Sequence, residues 1–259
     1  MSNVQSVLKG YSMNGNSLIN KSTLFNKELE KKKMEIDCNF SWYPYGILNN
    51  FIHLRGVFNK RPLDSLAKLG SKILDIGAAD GDLSFFLESL GYKLDIIDNG
   101  PTNFNNLKGA QLLKVKLNSN VGIYEIDIDS HFKTPNEQYD LIFLLGILYH
   151  LKNPFYILES LSHISKYLVV STRVARFTTD GTAISKSPLA YLLGPDESNN
   201  DATNYWIFSD TGLRRLFDRC GWKILEMMSV GDTEESNPRD QNHDERSFAL
   251  LRSVRSTEL

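Results

Sequence analysis

Ile73-Leu74-Asp75-Ile76-Gly77-Ala78-Ala79-Asp80-Gly81 decides how the rest of the chain is read. Its opening apolar residues predict a buried parallel strand over 72–76. Gly77 and Gly81 then let the backbone turn sharply and pass close to a ligand, because neither carries a Cβ. A helical pattern starts at once with Leu83, Phe86, Leu87 and Leu90. The turn would therefore deliver a ligand to a helix N-terminus that carries roughly half a positive charge. The next apolar run ends in Asp98, where a carboxylate can accept both hydroxyls of a ribose. Strand, glycine turn, helix, strand and acid together describe a nucleoside-cofactor site.

The bulk properties bound what surrounds it. A chain of 259 residues is long enough for one large domain with a substantial core and an appendage. A net charge of −2 gives no global basic footprint for nucleic acid. Cys38 and Cys220 are isolated, so no metal-ligand spacing arises and both are expected to be reduced. The polar start Met1-Ser2-Asn3-Val4-Gln5 lacks an apolar secretion core, and the longest apolar run, Leu141 to Leu148, is too short to span a bilayer. A cytoplasmic protein with no membrane segment is expected.

Residues 1–62 divide into a polar leader and a helical extension that runs to Met34, with Glu28 and Lys31-Lys32-Lys33 forming a solvated face. Ile47, Phe51, Leu54 and Phe58 then recur at helical spacing. Residues 63–259 alternate: strands are predicted at 72–76, 93–97, 121–127, 139–145 and 167–172, and helices at 81–91, 102–117 and 154–164. Asn153 as N-cap and Pro154 at the first helical position mark the start of the last of these. This alternation implies a parallel, doubly wound α/β sheet. The rhythm breaks at a polar-aromatic insertion, 173–208. A helix at 210–220, ended by Gly221, and strands at 222–229 and 246–252 complete the chain. The acidic loop 231–245 reads as surface, with no metal expected.

The glycine spacing separates two cofactor classes. A dinucleotide turn would read Gly-x-Gly-x-x-Gly. Here the pattern is Asp-x-Gly-x-x-x-Gly, with Ala79 where the turn is tightest. In this the chain resembles class I S-adenosylmethionine-dependent methyltransferases. The resemblance implies S-adenosyl-L-methionine as cofactor and a mostly parallel seven-stranded sheet whose last strand is antiparallel, which the closing strand pair matches. It places Asp75, Gly77, Ala78, Ala79 and Gly81 at the methionine end and Asp98 with Asn99 at the ribose. Asp127 and Ile128 would meet the adenine, and Leu145 and Gly146 would line the cofactor at the end of the fourth strand.

Tyr149 and His150 follow at the carboxyl edge, where doubly wound folds place their ligands. His150, with an unperturbed pKa near 6.5, reads equally as a general base or as the cap of a turn. The run Gly146-Ile147-Leu148-Tyr149-His150, then Asn153-Pro154, Ser171-Thr172-Arg173-Val174 and Asn204-Tyr205-Trp206-Ile207-Phe208-Ser209, resembles the tRNA wobble-uridine carboxymethyltransferases. In those enzymes the cofactor carries a carboxylated methyl group held by a tyrosine and basic residues. Tyr149 matches the tyrosine, and Arg246 matches one basic residue in position. The upstream stretch departs from the pattern: Asn39-Phe40-Ser41-Trp42-Tyr43-Pro44-Tyr45 holds no lysine. A buried anion facing a single cation is poorly compensated, since an unpaired buried charge costs several kcal/mol. Ordinary S-adenosylmethionine is therefore expected, and tRNA is a possible but not favoured partner.

The insertion supplies hydrogen-bonding and flat apolar groups without a basic groove. Arg173, Asn204, Tyr205 and Trp206, together with Tyr149, Arg246 and Trp42, form the expected acceptor side, suited to a small-molecule or glycan-like substrate. Trp42 and Tyr43 either close the pocket or staple the N-terminal segment to the core. Methyl transfer to oxygen or nitrogen of such an acceptor is the expected activity. A tRNA wobble-base modifier and a non-catalytic cofactor-binding accessory protein are the alternatives.

Overall fold

A computed structural model describes residues 13–256, so the reading of Met1–Gln5 lies outside the described residues. The helices are α1 (Gly15–Met34), α2 (Asn50–Lys60), α3 (Leu63–Leu66), α4 (Asp82–Ser89), α5 (Lys108–Leu117), α6 (Pro154–Ile164) and α7 (Asp210–Arg219). The strands are β1 (Lys72–Ile76), β2 (Lys93–Asp98), β3 (Gly122–Glu125), β4 (Tyr139–Leu145), β5 (Ser165–Val174), β6 (Ala190–Leu192), β7 (Trp206–Phe208), β8 (Trp222–Gly231) and β9 (Glu245–Ser253).

Seven strands form the body of the sheet in the order β3-β2-β1-β4-β5-β9-β8, with β9 antiparallel to both neighbours. Where seven strands are expected there are nine, because the insertion closes a small antiparallel pair, β6 with β7, that joins the end of β5 at Val174 and Phe208. The register of β1 on β4, Ile73 with Leu141 and Asp75 with Phe143, brings both strand ends to one edge.

Helices cover both faces, so the central strands are apolar on both sides. Along β9 the period of two is plain: Phe248 and Leu250 join one core with Phe51, Phe58 and Phe86, while Ala249 and Leu251 join the other with Leu161, Phe217 and Trp222. The helices α1 and α2 thus share a core with the sheet.

Local chemistry departs from three expectations. Lys33 does not join a solvated face: it is 6 % exposed, with its ammonium 2.9 Å from the Asp82 carboxylate at the start of α4. Lys31, two residues earlier, does pair with Glu28 at the surface. Helix 102–117 begins only at Lys108, because Asn106 and Leu107 take positive φ and break the preceding turn. Asn153 holds the N-cap position of α6 before Pro154, but its side chain makes no capping bond: it donates to the Asp129 carbonyl, and an Asp129 side-chain oxygen accepts its backbone N–H at 3.0 Å.

Candidate active site at the carboxyl edge

The glycine turn is held in a shape its sequence requires. Gly77 and Gly81 have φ +70° and +84°, and Ala79, at φ 55°, takes the left-handed conformation without being glycine, which costs about 1–2 kcal/mol. A Cβ on Gly77 would fall 2.2 Å from Ile147 Cδ1, so the turn passes the end of β4 as closely as a glycine allows. Ala78 and Ala79 are buried beneath it.

Asp75 is not in the cleft. Its carboxylate lies under the turn, 3 % exposed, and accepts the Ser84 hydroxyl at 2.9 Å, which ties β1 to α4. Burial raises its pKa to about 7, with the charges of Asp98 and Asp82 adding to the shift. The acid that contacts the cleft's other walls is Asp80, which sequence reasoning assigned no role. One Asp80 oxygen accepts the Tyr43 backbone N–H at 2.7 Å and the other accepts Asn105 Nδ2 at 2.7 Å. A charge buried at 1 % exposure thereby gains donors from two distant segments.

Asp98 ends β2 half-buried. Its oxygens accept the Asn99 N–H at 2.8 Å, Asn103 Nδ2 at 3.0 Å and the Ala79 N–H at 3.3 Å, so it braces the glycine turn. Burial raises its pKa in spite of these donors. A cleft of about 560 Å³ continues beside it between Phe40, Gly100, Asn103, Phe104, Lys108 and Glu125. Asp127 lies two residues beyond β3 and is exposed; one oxygen accepts the Asp129 N–H at 2.9 Å in a local turn. Ile128 beside it is buried.

The N-terminal strap resolves the Trp42–Tyr43 ambiguity. Trp42 packs edge-on against Phe40, lies 5.7 Å from the Lys33 ammonium and packs half-buried on the core, so it staples the strap down. Tyr43 points the other way and packs on Phe104 with ring centroids 5.6 Å apart. Its hydroxyl pKa is pushed up to about 12 by burial and by the charges of Asp98, Tyr149 and Asp80, so it remains a donor facing the cleft.

At the end of β4 the chain turns at Gly146, φ +75°, beneath two side chains. A Cβ there would meet Arg246 Nη1 at 3.4 Å and the Tyr149 hydroxyl at 3.7 Å. The Arg246 guanidinium donates to the Tyr149 hydroxyl at 3.3 Å and lies 5.4 Å from the ring centroid. Among the described residues no carboxylate lies within 4.0 Å of it. Arg173 is its direct cross-strand partner on β5 and is only 3 % exposed: its terminal nitrogens bind Asp244 and Ser198 Oγ, while its Nε has no partner. Arg173 is therefore a brace for Asp244 and the insertion, not the acceptor contact expected of it.

Tyr149 stacks at 4.3 Å on His150, whose Nδ1 lies 3.1 Å from the Thr203 carbonyl. Burial lowers the His150 pKa, and Arg246 adds to the effect against Thr203 and Asp201. Tyr205 donates its backbone N–H to the Tyr149 carbonyl at 2.8 Å, fixing the insertion on this turn. Trp206 is held by the Lys152 carbonyl and packs on the core, so it supports the wall from behind. Asn204 is 5 % exposed, with its amide donating to Ser198 at 2.8 Å, and is structural likewise. Leu145 and Gly146 remain partly accessible at the rim.

The comparisons agree with this edge. A family model described as a methyltransferase domain matches residues 50–227. The tRNA U34 carboxymethyltransferase of Helicobacter pylori is 35 % identical over 114 residues, covering 44 % of this chain and 40 % of the relative. The chain thus matches less than half the length of the curated relatives it resembles. In structure it is similar to the N-terminal domain of EvdMO1 with SAH bound, at TM-score 0.55 and 15 % identity over 88 % of this chain and 96 % of that one. It is also similar to PH0226 of Pyrococcus horikoshii OT3, at TM-score 0.52 and 12 % identity over 79 % and 90 %. The chain belongs to the methyltransferase-domain family. S-adenosylmethionine is the cofactor that this fold and family imply. The residues present fit that cofactor, since the Gly77 turn leaves no room for a Cβ and Asp98, half-buried at the end of β2, puts a carboxylate beside that turn.

Proposed function

We propose that this enzyme methylates an oxygen or nitrogen of a small-molecule or glycan-like acceptor, with His150 as the base. Bound S-adenosylmethionine would supply an activated methyl group. Gly77 to Gly81 would hold its methionine end, and Asp98 its ribose. The chain's own work is then alignment and proton removal, which together contribute most where the donor is already activated. Among the described residues, the observation that carries this reading is a rim of mixed character: Arg246 against Tyr149 and Lys152 over Tyr205 stand beside Asp201 and the polar and aromatic groups of the insertion, with no run of basic groups. That rim suits a polar acceptor better than a polyanion.

Label from methyl-labelled cofactor, supplied to the purified enzyme with cell extract, should appear in the small-molecule fraction. Transfer confined to the RNA fraction would sink this reading. His150→Gln should lower turnover by about 10²-fold or more with cofactor affinity kept.

A second reading draws on one specific observation, the Arg246–Tyr149 contact over Gly146. It suits a carboxylated methyl group, as the similarity to the tRNA U34 carboxymethyltransferases suggests. The neutralisation of Arg173 by Asp244 leaves one cation for that anion, which weighs against it. Native mass spectrometry of the purified protein separates the two by the mass of the cofactor that accompanies it.

A further inference from the structure

The insertion does more than wall the acceptor side. We propose that Asp201 and Thr203 are positioning residues that hold His150 in the tautomer with a free Nε2, so that the acceptor loop itself prepares the base. The inference rests on the reading of His150 as the base. A backbone carbonyl can only accept a hydrogen bond, so the 3.1 Å contact between the Thr203 carbonyl and His150 Nδ1 puts the proton on Nδ1. The neutral ring then has its lone pair on Nε2.

Asp201 makes the contact geometrically definite. One of its oxygens accepts both the Thr203 N–H at 2.9 Å and the Thr203 hydroxyl at 2.6 Å. With that hydroxyl proton committed to Asp201, the Thr203 oxygen, 3.2 Å from Nδ1, presents a second acceptor to the same N–H. The Asn204 N–H closes the turn on the Asp201 carbonyl at 3.0 Å. Upstream, Ser198, Asn199 and Asn200 all take left-handed conformations, with φ of 53°, 67° and 56°. Such strain persists only where the surroundings impose it. Here the Ser198 N–H is held by the Pro238 carbonyl at 2.9 Å and the Ser198 carbonyl by Asn204 Nδ2 at 2.8 Å.

The charges that face His150 are Asp201 from the insertion and Arg246 from β9, with the Tyr149 ring stacked between the turn and the strand. Burial and Arg246 favour the neutral ring, and Asp201 opposes them in part. A neutral, oriented imidazole is the state a general base requires.

Nitrogen NMR on the full-length protein labelled at its five histidines tests this without any acceptor. The His150 signals are assigned by their loss in His150→Gln. Wild type should show the Nδ1–H tautomer, and Asp201→Ala should shift His150 to the Nε2–H form that a free side chain prefers. Asp201→Asn, whose amide oxygen still accepts from Thr203, should retain Nδ1–H while the His150 pKa falls, because a carboxylate charge is gone. An Nε2–H tautomer in wild type, or an unchanged tautomer in Asp201→Ala, overturns the proposal. Should the tautomers behave as stated while His150→Gln leaves methyl transfer intact, the base reading fails and the positioning stands.

Discussion

The two walls of the cleft are built on opposite principles. On the cofactor side, charged groups are buried and cross-tied: Lys33 to Asp82, Asp80 to the strap and to Asn105, Asp98 to the glycine turn. On the proposed acceptor side, Tyr149, His150 and Arg246 are half-buried groups set against the insertion, and Arg246 is left without a carboxylate within 4.0 Å among the described residues. The cofactor is a constant, so its wall can be fixed by the fold. The acceptor wall is carried by an insertion, where sequence change costs the core little. The difference predicts that lesions on the first side register in stability or cofactor affinity, and lesions on the second in turnover alone.

The largest expected effect tests the buried tie. Lys33→Met leaves the Asp82 carboxylate buried without its cation and should cost about 3–5 kcal/mol in denaturant unfolding. Adding Asp82→Asn should recover most of it, and a loss below about 1 kcal/mol would break the comparison on the cofactor side. Next is Asp75, whose folded pKa of about 7 lies above the roughly 3.9 of an unfolded carboxyl. The folded state then binds more protons between these values, so stability falls as pH rises from about 4 to about 7. Asp75→Asn should flatten that slope and be the more stable protein at pH 8 by about 2 kcal/mol. Melting curves at acid and alkaline pH check the sign.

Asp98→Ala should weaken cofactor binding by about 2 kcal/mol, near 30-fold, by calorimetry. Binding at wild-type strength would remove Asp98 from the ribose. The smallest effect sharpens the other wall: Arg246→Gln should lower turnover several-fold while cofactor affinity and melting temperature stay put. A matching loss of cofactor affinity would move Arg246 across the divide and favour the carboxylated cofactor.

Much of the cofactor wall was legible because its constraints are local. A turn that passes under Ile147 needs glycine at 77, and a strand ending in an acid is visible as a short pattern. The parallel strands of the sheet followed from alternation, and the antiparallel last strand from the resemblance. What stayed hidden depends on partners far along the chain. Arg173 reads as a free cation until Asp244, 71 residues on, is seen to neutralise it. Trp42 and Tyr43 are adjacent and aromatic, and only the strap's path shows that one faces the core and the other the cleft. Lys33 sits in a lysine run whose neighbours are solvated, and nothing in its local spacing announces Asp82. Thr203 carried no signal, since only the fold brings its carbonyl and hydroxyl beside a histidine 53 residues earlier in the chain.

The double tie at Asp80 has a kinetic meaning. Its two partners lie 37 residues before it and 25 after it, so the glycine turn reaches its final shape only once both arrive. Closing such loops is entropically slow compared with forming β1 or α4. The turn is therefore completed after β1 and α4 have formed. Until then the turn is an unfinished edge, open to water and to whatever else can satisfy a bare carboxylate.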